Sequence, residues 1–212
     1  AGRSEPRSAQ RIAQRGAHGS TKRRVSRGSV NIEGAGYAPE GGLARDDGGP
    51  VEGALGQELR ESLIAGDRAN NATVAQQDGR WTALGDPTEA ALRVAARKAG
   101  IEPDALDAEW PRVGEVPFSS ERKRMSSVHE AGGERVLSTI GAPDVLLERC
   151  THEQVGDAPQ PLTDERRGAI REANDRLTGE AYRTLGVATR RMPEGSKVPE
   201  GRSEDEDLEQ DL

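Results

Sequence analysis

The chain has 212 residues and a formal net charge of −7, from 30 Lys and Arg against 37 Asp and Glu. Leu, Ile, Val and Phe number 35, about 17% of the chain, and aromatics only five, which excludes one large apolar core and leaves a small core with polar flanks. No apolar run approaches the length that crosses a bilayer, and one cysteine excludes an internal disulfide and a multi-thiolate zinc site.

Residues 1–28 hold eight Lys or Arg and one acid, and read as a basic, disordered tail. Such an arm is a solvated tail, a targeting peptide, or a binder of nucleic acid or an anionic membrane. Val30 to Ile32 reads as a short strand ending in the turn around Gly34 and Gly36. The Gly- and Asp-rich stretch 40–56 reads as a loop. A helix is expected over 56–67, from Leu59, Leu63 and Ile64.

Asp86-Pro87-Thr88-Glu89 is a helix start: Asp86 as N-cap, Pro87 in the first position, and Glu89 at N3 as in a capping box. Leu92, Ala95, Ala96 and Ala99 form its apolar face, and Gly100 stops it. Val113 to Phe118 reads as a strand. Arg124 to His129 and Arg135 to Ile140 read as a hairpin around Ala131-Gly132-Gly133. Helices follow Ala142 and Thr163, and Thr184 to Thr189 is a last strand. Strands and helices without regular βαβ alternation predict an α+β fold with a mainly antiparallel sheet flanked by helices. Residues 200–212 carry seven acids and one Arg, and read as a second tail.

Three segments carry the functional signal: Gly85-Asp86-Pro87-Thr88-Glu89-Ala90-Ala91-Leu92, Phe118-Ser119-Ser120-Glu121-Arg122-Lys123-Arg124-Met125-Ser126, and Gly141-Ala142-Pro143-Asp144 with Cys150 behind it. In this order and spacing they resemble the nucleotide-binding domain of P-type cation-transporting ATPases, of the calcium or sodium/potassium pump type. Tyr37-Ala38-Pro39-Glu40-Gly41, Ala69-Asn70-Asn71-Ala72 and Tyr182-Arg183-Thr184-Leu185-Gly186-Val187-Ala188 add to the resemblance. It implies a nucleotide-binding domain over 29–195. Residues 196–212 become an acidic tail or the start of a return into a phosphorylation domain.

The same resemblance implies that the domain holds ATP, with Mg2+ on the nucleotide, for transfer to an aspartate in another domain. Phe118 would stack on adenine and Lys123 would lie near the base and phosphates. Glu89 would accept from the adenine amino group, Gly141 would let ligand approach the backbone, and Arg183 would contact phosphate. Each has a plainer reading. Phe118 is then a core ring, Lys123 and Arg183 surface cations, Glu89 a helix cap and Gly141 a turn glycine. No catalytic residue and no metal ligand is expected within the chain. Its partners would be adenine nucleotide and the other domains of a pump at the cytoplasmic face of a membrane. Neither nucleic acid nor a membrane span of its own is expected, and the chain alone would be soluble.

Two departures from the family matter. Ile140 stands where the family has lysine before Gly-Ala-Pro, and Ser120 where calcium pumps often have arginine. The Asp-Lys-Thr-Gly-Thr phosphorylation motif is absent from these residues, so the chain is not expected to be catalytic alone. The alternative is a degenerate domain that keeps the fold and acts through protein contacts without nucleotide. Further alternatives are a mostly disordered binding protein and a piece of a split gene. No Gly-x-x-x-x-Gly-Lys-[Ser/Thr] loop occurs, which argues against an autonomous ATPase of that type. Cys150 reads as a buried, inert thiol.

Overall fold

A computed structural model describes residues 10–14, 21–25, 28–34, 36–193, 196, 198, 201–202 and 206–212. In chain order the strands are β1 (Gln10–Gln14), β2 (Thr21–Val25), β3 (Gly28–Ile32) and β4 (Leu43–Arg45), followed by helix α1 (Gly53–Arg68). Next come the hairpin β5 (Thr73–Gln77) and β6 (Arg80–Leu84), then helices α2 (Pro87–Lys98) and α3 (Pro103–Glu109). A meander of β7 (Arg112–Ser119), β8 (Arg124–Ala131) and β9 (Glu134–Gly141) leads to α4 (Pro143–Arg149). The hairpin β10 (His152–Val155) and β11 (Ala158–Pro161) precedes α5 (Asp164–Gly179), β12 (Arg183–Met192), β13 (Gly201–Arg202) and a 3-10 turn over Glu206–Glu209.

The described strands form one nine-stranded sheet, ordered β13-β7-β8-β9-β12-β1-β2-β3-β4, and two separate hairpins. All its pairings are antiparallel except β13 with β7. The fold is therefore α+β with a mainly antiparallel sheet, as composition and pattern predict. Three segments differ from their expected reading, one of them the expected acidic tail, whose β13 pairs with β7. Residues 43–45, inside the expected loop, pair with β3. Residues 10–14 and 21–25, inside the expected basic tail, are strands, with β1 on β12 and β2 on β1 and β3. Ladder pairing needs only backbone partners, which composition does not report. Gly28 opens β3, and the rest of the 1–28 segment lies outside the described residues.

Alternation along the strands splits the core into two layers. On one face Met125, Ile140 and Val187 meet Ala65 of α1, Ala69 just past its end, and Leu92 of α2. Val30 and Ile32 extend that layer over Leu59 and Leu63. On the other face Val116, Val128, Leu137 and Ala188 meet Leu146 and Leu147 of α4. Leu208 and Leu212 of the acidic C-terminal stretch are buried in this second layer. Cys150 is buried beside them, and burial pushes its thiol up to about 12, as expected of an inert thiol.

Candidate functional site

The antiparallel order brings one end of the sheet together. The end of β7, the start of β8, the end of β9 and the start of β12 are adjacent there, because Arg124 pairs with Gly141 and Gly141 with Gly186. Phe118, Lys123, Gly141 and Arg183 all sit at that end.

Phe118 is 62% exposed, one of few large apolar side chains left in water. The turn after it is built by Ser119, whose carbonyl accepts from Lys123 N at 2.7 Å. Ser119 Oγ also accepts from the amides of Glu121 and Arg122. Lys123 takes the left-handed backbone region, φ 54°, uncommon for a side chain with a Cβ. Its carbonyl accepts from Ala142 N at 2.9 Å, tying the turn to the residue after Gly141. No ion pair occupies its exposed ammonium among the described residues.

Helix α2 supplies the remaining carboxylate. Asp86 caps the helix, its Oδ1 accepting from Thr88 N at 2.7 Å and Glu89 N at 3.2 Å. Glu89 does not complete a capping box. Its Oε2 accepts instead from the backbone N of Asn71 at 2.6 Å, while Asn70 Nδ2 donates to the Glu89 carbonyl. Arg183 Nη1 donates to Thr88 Oγ1 at 3.1 Å, joining β12 to the first turn of α2. Lys123 is thus tied to Ala142, the residue after Gly141, and Arg183 to Thr88, the residue before Glu89, and both pairs lie at one sheet end.

Sequence reasoning missed two clusters around this end. Asn71 bridges Glu89, Glu115 and Arg112, with Arg112 Nη1 donating to its Oδ1 at 2.6 Å. Arg122 and Arg124 bind Glu209, 87 and 85 residues later. No local signal reports a pairing at that separation. Asn70-Asn71 and Arg122 to Arg124, inside segments that resemble the family's, were the available pointers.

Behind the site lies buried charge. Asp67 is raised to about 6, chiefly by burial and against the pull of Arg93, whose Nε is 3.2 Å away but poorly aligned for a hydrogen bond. His129 is lowered to about 3, by burial first and then by the Arg112 and Arg68 charges. A cavity of about 230 Å3, lined by Arg68, Trp110, Ser138 and Arg191 among others, lies farther along the same face, toward the opposite sheet end. None of the expected site residues lines it. Among the described residues no helix is long and apolar enough to cross a membrane, and no three His, Cys, Asp or Glu could jointly hold a metal ion.

An exposed ring, two cations and a carboxylate at one sheet end fit a planar base carrying phosphates. The ring can stack, the carboxylate can accept from an exocyclic amine, and Lys123 and Arg183 can bind oxyanions.

The family described as P-type ATPase, cytoplasmic domain N, matches residues 58–212. The chain is 36% identical over 174 residues to the probable cation-transporting ATPase F of Mycobacterium tuberculosis, covering 82% of this chain and 19% of that protein. It is 31% identical over 178 residues to the calcium-transporting ATPase of Bacillus subtilis, covering 84% and 20%. To the cation-transporting ATPase pma1 of Synechocystis it is 30% identical over 161 residues, covering 74% and 18%. The chain spans about a fifth of the length of these curated relatives.

Proposed function

This chain belongs to the cytoplasmic N-domain family of P-type ATPases, and on that premise we propose that it holds adenine nucleotide for phosphoryl transfer to an aspartate outside these residues. Residues 29–195, with β1 and β2 paired into their sheet and the 206–212 stretch packed into their core, form the nucleotide domain in this reading, working at the cytoplasmic face of a cation pump. The observation that carries it is the exposed Phe118 ring, at the same sheet end as Lys123, Gly141, Arg183 and Glu89.

Phe118 stacks on the adenine. Glu89, near the positive end of α2, stays an acceptor for the exocyclic amine once Asn71 shares or yields its bond. Lys123 and Arg183 orient the phosphates toward the receiving aspartate. Gly141, with no Cβ, leaves the turn's close approach intact. Magnesium arriving on the nucleotide offsets charge on the phosphate oxygens. The contribution of the chain is therefore positioning, and the bond-breaking step needs the aspartate supplied elsewhere.

One observation favours a second reading. Ile140 stands where the resemblance expects lysine, and it is 5% exposed, packed into the apolar layer. A domain without that cation could keep the fold and act through protein contacts alone.

Amide NMR of the chain with and without ATP separates the two. The nucleotide reading expects shifts centred on Glu89, Phe118, Lys123 and Gly141. It also expects Phe118→Ala to weaken ATP by about tenfold to a hundredfold with the fold intact, the cost of one lost base stack. A dispersed spectrum that ignores ATP supports protein contacts instead. Equal ATP affinity of wild type and Phe118→Ala refutes the stacking role.

A further inference from the structure

We propose that Glu209 is a positioning residue, setting the turn between Pro117 and Arg124 and, through it, the ring of Phe118 and the ammonium of Lys123. The inference rests on the nucleotide reading above for its functional half only.

Glu209 has no solvent exposure. Its Oε2 accepts from Arg122 Nη1 at 2.7 Å and from Arg124 Nε at 2.5 Å, and its Oε1 accepts from Ser126 Oγ at 2.7 Å. Arg122 also donates through Nη2 to the carbonyl of Pro117, the residue before Phe118. Arg124 Nη1 donates to the carbonyl of Arg122 at 3.0 Å. One carboxylate thus holds the two arginines that flank Lys123, and one of them holds the residue next to Phe118.

The carboxylate is itself fixed. Leu208 and Leu212 on either side are buried in the layer beneath β7 and β8. Leu212 N donates to the Arg149 carbonyl at 3.0 Å, and Thr151 N donates to the Leu212 carbonyl at 2.9 Å. A buried carboxylate shared by two guanidiniums cannot release either cheaply, because an unpaired charge would remain in the interior. A left-handed Lys123 persists only where its surroundings over-determine it, and this clamp does so from the far face of the sheet. Glu209 touches neither base nor phosphate. Its effect runs through the arginines.

The test compares amide NMR spectra of the full chain, wild type and Glu209→Gln, first without and then with ATP. Gln keeps the shape and removes the charge. The proposal expects nucleotide-free shifts concentrated at 117–124 and at Ala142, and ATP weakened by about tenfold to a hundredfold, the scale of a misplaced binding group. Leu59→Ala, in the separate layer under Val30 and Ile32, is the structural control: it should lower the melting temperature and leave the ATP affinity of the folded fraction unchanged. Unshifted turn resonances in Glu209→Gln overturn the proposal, as does unchanged ATP affinity. If Glu209→Gln does not fold, Arg122→Gln opens one limb only and must give the same turn shifts, or the proposal falls. A wild-type chain that ignores ATP overturns the nucleotide reading, and the nucleotide-free spectra still decide whether Glu209 sets the turn.

Discussion

Gly141 and Arg124 face each other across the β8–β9 pair so closely that a β-carbon on Gly141 would lie 2.6 Å from that of Arg124. The same β-carbon would lie 2.6 Å from the Lys123 carbonyl oxygen. Neither neighbour can step aside. The carbonyl holds Ala142 N, and Arg124 is clamped by Glu209. Gly141→Ala should therefore cost about 1–3 kcal/mol, the range for overpacking a well-filled site. Urea unfolding of the two chains measures it, and an unchanged midpoint would mean the strands separate more easily than this contact implies.

Lys123→Gly separates stability from binding at one position. The left-handed backbone costs a residue with a Cβ about 1 kcal/mol, which glycine removes. Glycine also loosens the unfolded chain, which returns about 0.4–1 kcal/mol of that gain. The expected result is an unfolding midpoint that does not fall, beside ATP binding weaker by about tenfold from loss of the ammonium. Weaker folding with unchanged affinity would leave Lys123 a turn residue only.

Much of the fold was legible in local sequence. Asp86-Pro87 predicts the start of α2, the Gly132-Gly133 turn predicts β8 and β9, and α5 follows Thr163 as expected, with Thr163 Oγ1 accepting from Arg166 N. A signal for β5 and β6 was also present, since Asp78-Gly79 is a hairpin dipeptide and both residues take positive φ. What local pattern could not carry is pairing across long separations. Glu89 reads as a capping-box residue by spacing, yet its carboxylate is taken by Asn71. The stretch 200–212 reads as a solvated tail by composition, yet Leu208, Glu209 and Leu212 are buried. Its apolar residues are too few to show a period, and Glu209 is matched by arginines more than 80 residues earlier.

Acid stability should show two opposed titrations. His129 stays neutral in the fold down to about 3, below its ordinary 6.5, so the unfolded chain binds the proton first. Acidification from about 6.5 toward 3 therefore removes stability, at up to about 1.4 kcal/mol per pH unit. Asp67 is raised from 3.8 to about 6, so the folded chain binds that proton first. Acidification from about 6 toward 3.8 adds stability at a similar rate. Between those limits the two offset each other. Urea midpoints against pH should fall more steeply toward acid in Asp67→Asn than in wild type, and should fall less steeply or rise in His129→Gln. Parallel curves for all three chains would mean neither group is shifted as its burial requires.

Ile140→Lys decides between nucleotide and protein contact. Ile140 is opposite Met125 and Val187 in the ladder and packs on Ala65, Ala69 and Leu92. A lysine there must bend out of that layer or bury its ammonium, so without nucleotide the variant should be less stable by about 1–3 kcal/mol. If phosphates bind at this sheet end, the new ammonium gains a charge-assisted bond worth about 1.5–3 kcal/mol. ATP should then bind about tenfold to a hundredfold tighter than to wild type. Because a ligand that binds only the folded chain stabilises it in proportion to the logarithm of its affinity, saturating ATP should shrink the variant's stability deficit. Thermal unfolding of both chains with and without ATP reads this directly. A deficit that ATP leaves unchanged means that no phosphate reaches Ile140, and the protein-contact reading then accounts better for an apolar residue at that position.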